Sequence, residues 1–141
     1  EKLEEYWLGL VLQGQPEVGR LESMERWLDK GAVKRLVEEL KRWIAEKRKW
    51  EVREWMVGLP AELRETAERA WLVNEEEWEE AKLNKEREEA EMELKKLRLQ
   101  EQLGQLSRRI KELEQKGAEK EVAAVQKEFV GVSERMRALG E

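Results

Sequence analysis

The 141-residue chain has no cysteine and no histidine, only two prolines, one phenylalanine and one tyrosine. Without thiols or imidazoles it can form no disulfide, no Cys/His zinc site, no Ser-His-Asp triad and no Cys-His dyad. Acid–base catalysis would fall to carboxylates and lysines. These lie in mixed-charge runs whose i,i+4 spacing marks solvated helix faces, so the expectation is a non-enzyme with no cofactor and no metal. No apolar run reaches the ~20 residues needed to cross a bilayer, and no signal peptide is visible. A chain that opens on Glu1 is expected to be a piece of a longer protein, and a cytoplasmic location is expected for it.

What the chain has instead is charge of both signs. Charged residues outnumber hydrophobic ones, 43% against 40%, yet the net charge is only −5. Abundant Glu, Lys, Arg and Leu with almost no proline is the composition of an all-α protein. A general binder of nucleic acid or anionic membrane would be basic, so neither partner is favoured.

All seven tryptophans fall within the first 78 residues. Large rings bury much area each and let a short chain build a core, which predicts a compact helical bundle over residues 1–78. Leu3, Trp7, Leu10 and Val11 have helical spacing, and the helix they mark ends at GQP (14–16). Pro16 suits the first turn of a short helix toward Arg20 or Met24. Val33, Leu36, Val37, Leu40, Trp43 and Ile44 mark a helix expected to continue to about Lys49. EVREWMV (51–57) reads as a short helix or turn, and Pro60 opens a helix through Leu63, Ala67, Ala70 and Trp71.

Asn74 followed by Glu77 has capping-box spacing and predicts a helix start near Glu75. From there to Lys116 the only glycine is Gly104 and there is no proline. At about 100° per residue, Leu83, Ala90, Leu94 and Leu97 share one face. Met92, Leu99, Leu103, Leu106, Ile110 and Leu113 share the opposite one. Two faces imply two neighbours, the bundle first and a different surface afterwards.

The second neighbour is in the sequence itself. Val122, Val125, Phe129, Val132, Met136 and Leu139 form a seam of the same period, and Lys116-Gly117 carries both helix-stop signals. Two matching seams joined by a short glycine turn predict an antiparallel hairpin. The expected organisation is therefore a bundle over 1–78, a connecting stretch of long helix over 79–99 and a hairpin over 100–141.

Three surface features carry functional readings. KRWIAEKRKWEVR (41–53) combines six basic residues with Trp43 and Trp50, the ingredients of single-stranded nucleic-acid binding. Seven-residue spacing, however, favours core-facing rings on one helix. EEEWEE (75–80) could attract a hard cation, but acidic residues are favoured in a first helical turn anyway. On the last helix Ala123 and Val130 lie opposite the apolar seam, bordered by Glu119, Gln126, Lys127, Glu134 and Arg137, which is the form of a helix-face binding site. Gly104 and Gly131 stand 13 and 14 residues from the turn, at about the same level of the hairpin.

Three stretches together resemble one family. LEEYWLGLVLQGQPEV (3–18) is similar to the opening helix and Pro-Glu turn of the C-terminal domain of bacterial DNA primases. GLPAELRETAERAWL (58–72) is similar to its Leu-Pro-x-x-Leu helix, and residues 88–139 to its closing long helix, turn and final helix. The resemblance implies a helicase-binding domain, in which a bundle and a C-terminal hairpin dock on the N-terminal domains of the hexameric replicative helicase. Primer synthesis and zinc-dependent template reading would lie in other domains.

Face geometry then nominates Ala123, Gln126, Lys127, Val130, Glu134 and Arg137 for partner contact, with Arg108, Arg109, Lys116 and Lys120 near the turn adding electrostatic steering. The isolated chain is expected to be a monomer. The rival readings are a coiled-coil adaptor or designed helical protein, and a single-stranded nucleic-acid accessory module.

Overall fold

The structure, a computed structural model, describes residues 2–73 and 78–140. It is all-α as expected, with seven helices and no strand among the described residues. The helices are α1 (Lys2–Gln13), α2 (Val18–Glu25), α3 (Ala32–Ala45), α4 (Val52–Val57), α5 (Ala61–Val73), α6 (Glu80–Gln115) and α7 (Glu119–Leu139). The chain forms two compact units, Glu1–Leu94 and Lys95–Glu141, so α6 supplies residues to both.

In the first unit α1 is the central element. Trp7, Leu8, Leu10, Val11 and Leu12 are all buried, and a helix apolar on nearly every side has to sit inside. It packs chiefly on α5, which also meets α3 and α4. The stripe Val33, Leu36, Val37, Leu40 and Trp43 turns α3 inward. Leu83, Ala90 and Leu94 of α6 join the same core, as their shared face predicts. Gly14 lets α1 end close to α6, because a Cβ there would stand 3.1 Å from Leu83 Cδ2 and 3.4 Å from Arg87 Nη1.

A polar layer ties α1 and α2 to α6. The Glu91 carboxylate accepts a forked pair from Arg20, 2.8 and 3.1 Å, and a third hydrogen bond from Trp7 Nε1 at 3.0 Å. Those bonds hold the Arg20 guanidinium above its ordinary pKa. Tyr6 donates its hydroxyl to Glu86 at 2.8 Å. Arg87 is buried beside this layer with a hydrogen bond to Asn84 Oδ1, and burial, aided by the nearby Arg20 charge, pushes its pKa down. Glu4 is buried too, and accepts the backbone N–H of Asp29 at 2.7 Å to fix the turn before α3.

Three local expectations are corrected. First, α3 ends at Ala45 rather than near Lys49, because Lys47 adopts a left-handed conformation (φ 58°) and bonds its N–H back to the Ile44 carbonyl. That is an αL helix stop made without glycine. Second, Pro16 precedes the N-cap Glu17 instead of occupying the first turn of α2. Third, Trp78 and Glu79 are not helical and the described part of the long helix begins at Glu80, with the Leu83 N–H on the Glu79 carbonyl. The Asn74–Glu77 cap falls outside the described residues. Helix α6 then runs unbroken through Asn84 and Gly104.

Two predictions follow from the polar contacts of this unit. Glu91→Ala strands the fully buried Trp7 indole donor and should cost about 1–3 kcal/mol, read as a lower urea midpoint at unchanged slope. The second concerns pH. The Arg69 hydrogen bonds hold the Glu5 carboxyl below its ordinary value of 4.5. A depressed folded-state pKa contributes stability that is complete above the unfolded pKa and disappears as the pH falls through the folded one. Glu5→Gln should therefore melt earlier than the parent at pH 7, with the gap closing as the pH falls below about 4.5.

Candidate functional site

In the basic Trp segment both rings that sequence reading singled out are engaged by other side chains. Trp43 is only 7% exposed, and its ring is covered by the Arg48 guanidinium 3.6 Å from the centroid. Trp50 and Trp43 do not share a helix, since α3 ends between them. Trp50 instead packs obliquely on the buried Trp55, ring centroids 5.7 Å apart. Single-strand binding stacks bases on open ring faces; Trp43 is buried and Trp50 is half-buried against Trp55. Among the described residues no cluster of acidic side chains could hold a metal ion, and residues 75–77 of EEEWEE lie outside that description.

The second unit is the hairpin the seams predicted. Leu99 and Leu113 of α6 and Val125 and Val132 of α7 are buried, while Leu103, Leu106, Ile110, Val122, Phe129, Met136 and Leu139 are half-buried. Two helices can bury only the line along which they touch, so the seam is closed at its centre and open along its edges.

The turn is made by three residues. Gly117 has φ 72°, the Ala118 N–H reaches the Leu113 carbonyl at 3.1 Å, and the Gly117 N–H reaches that of Glu114 at 3.1 Å. This 6→1 and 5→2 pair is a Schellman stop. Ala118 then serves as the N-cap of α7, with Glu119 and Glu121 in the first turn, where negative charge complements the helix dipole.

Each nominated partner residue lies in this unit and is exposed. Ala123, Gln126, Lys127, Val130, Glu134 and Arg137 form the back of α7, away from the seam, and Val130 is 54% exposed. Arg108, Arg109, Lys116 and Lys120 are exposed on α6 and at the turn. Arg108 bends back to its own helix, its Nε 3.3 Å from the Gly104 carbonyl.

The two glycines do not face a common opening. A Cβ on Gly104 would meet only Arg108 Nη2 at 3.9 Å, and about 200° of helical rotation separates it from Leu106 of the seam. Gly131 instead lines a groove beside the seam together with Gln102, Gln105, Leu106, Arg109, Glu128, Val132 and Arg135, enclosing about 750 Å³. Sequence reading missed Gln105 and Arg135. Both lie one step off the seam, and the signal that could have found them is the common side of the two arms.

Gly117→Ala places a Cβ in a left-handed conformation and should destabilise the hairpin by roughly 1–2 kcal/mol. Gly117→Asn should cost less, because asparagine tolerates that region. Hydrogen exchange of the amides from Leu113 to Val125 measures the difference directly.

With this geometry established, comparisons of the chain with protein families, with curated proteins and with solved structures find no match.

Proposed function

We propose that this chain is the helicase-docking module of a bacterial primase, a non-catalytic coupler in which the hairpin meets the N-terminal domains of the hexameric replicative helicase. The proposal joins the resemblance of residues 3–18, 58–72 and 88–139 to primase C-terminal domains with one structural observation. The back of α7 carries an apolar strip, Ala123 and Val130, that the hairpin does not use to fold and leaves open to solvent.

A strip of this kind with a rim of Gln126, Lys127, Glu134 and Arg137 suits docking of another protein's helix or helical pair. Arg108, Arg109, Lys116 and Lys120 would add charge that speeds encounter more than it strengthens the complex. The bundle of the first unit would anchor and modulate the hairpin. The proposed setting is cytoplasmic, with the free chain monomeric. No helix among the described residues is long and apolar enough to cross a membrane.

The burial of Trp43 and Trp55 lends no support to the nucleic-acid alternative. Val130→Asp places a charge at the centre of the strip without touching the buried seam. In a pull-down with the helicase of the same organism it should reduce capture at least tenfold, while circular dichroism and melting stay as in the parent. Unchanged capture removes this face from the account.

A further inference from the structure

Between α3 and α4 the chain crosses the Trp43 ring with little backbone support. Residues 45–49 are all exposed. The N–H groups of Glu46 and Lys47 bond back to the Arg42 and Ile44 carbonyls, whereas those of Arg48, Lys49, Trp50 and Glu51 have no backbone acceptor among the described residues. Regular structure resumes at Glu51. Its carboxylate caps α4 by accepting the N–H groups of Arg53 and Glu54 at 3.2 and 2.7 Å.

Side chains hold the segment between these two ends. The Arg48 guanidinium lies on the Trp43 face, and Trp50 leans on Trp55. An ion pair within the segment, Arg48 Nη1 to Glu46 Oε2 at 3.6 Å, joins side chains that are each about half exposed. Pairs of that kind contribute little.

Three features work against the closed arrangement. Lys47 keeps a left-handed backbone, φ 58°, which crowds the Cβ of any L-residue. The indole N–H groups of Trp43 and Trp55 are buried with no acceptor among the described residues, and a buried donor left unpaired loses the free energy of its hydration. A pocket of about 100 Å³ runs beside the segment, past both indoles to Gly58 and Leu59, so packing there falls short of the close-packed interior. Against these stands a cation–π contact from a half-exposed arginine, which is a modest gain.

Trp7 in the same core provides the contrast. It is fully buried on a central helix, and its indole donates to Glu91 at 3.0 Å.

We propose that residues 47–50 form a strap that opens locally while the rest of the first unit stays folded, with the Arg48 guanidinium on Trp43 as its latch. Opening relaxes the Lys47 backbone, hydrates the Trp43 indole N–H and uncovers its ring. Segments with few backbone hydrogen bonds and exposed side chains are where such sub-global openings occur. The device belongs to the first unit and does not depend on the helicase reading of the hairpin.

Hydrogen exchange of the indole N–H groups, followed by NMR on the isotope-labelled intact chain, tests the strap. The Trp43 N–H should exchange at least about 100-fold faster than the Trp7 N–H, at a rate that low urea leaves unchanged, because a local opening exposes little surface. The Trp7 rate should rise with urea along the slope of global unfolding. Arg48→Ala should speed Trp43 exchange about threefold, the scale of a half-exposed cation–π contact, and Trp50→Ala should speed it as well. Lys47→Gly should slow it, because glycine carries no Cβ penalty in that backbone.

Trp43 exchange that matches the Trp7 rate and shares its urea slope overturns the proposal. A Trp43 rate that Arg48→Ala leaves unchanged overturns it too, because the guanidinium is then no latch. Circular dichroism confirms that each variant keeps its helices.

Discussion

A helix can bury only the stripe that meets its neighbour, and α6 has two neighbours. Leu83, Ala90 and Leu94 enter the core of the first unit, whereas Leu99 and Leu113 enter the seam with α7. Leu94 belongs to the first core and Leu99 to the seam, so α6 changes its partner within five residues. That switch lets one continuous helix belong to two compact units. Within the second unit the hairpin folds on a seam shared by α6 and α7.

The two units settle their free energy differently. The first encloses its apolar residues on several sides and adds an internal polar layer, where Glu91 satisfies Trp7 and Arg20 together. Within the second unit the seam is shared by α6 and α7. Its central residues are buried, its flanking leucines and valines are half-covered, and its described charged residues from Glu101 onward stand out in solvent. A unit built this way keeps apolar surface available along its edges and on its back, where a protein partner gains by covering it. The proposed docking role rests on this incompleteness as much as on the resemblance to primase domains.

Much of this was legible in the sequence because the apolar period is long and consistent. The 3–4 spacing from Leu99 to Leu113 and from Val122 to Leu139 specified both seams, and Gly117 after Lys116 marked the stop between them. Tryptophan content located the bundle. The pieces that escaped depend on contacts distant in sequence or on unusual backbone.

Lys47 takes a left-handed conformation that glycine normally marks, so the end of α3 was hidden and Trp43 and Trp50 were placed on one helix. Glu91 stands among many glutamates, and its role emerges only when Trp7, 84 residues away, is brought beside it. Arg135 resembles any exposed arginine until the antiparallel arms put it across a groove from Arg109.

The central claim is that the hairpin, rather than the bundle, is the docking element. Hydrogen–deuterium exchange of the whole chain, alone and with the N-terminal domains of the replicative helicase from the same organism, tests it most directly. The account predicts slowed exchange in peptides from Lys95 onward, strongest within α7, and little change from Lys2 to Leu94. Protection confined to the first unit, or no protection at helicase concentrations of tens of micromolar, would contradict it.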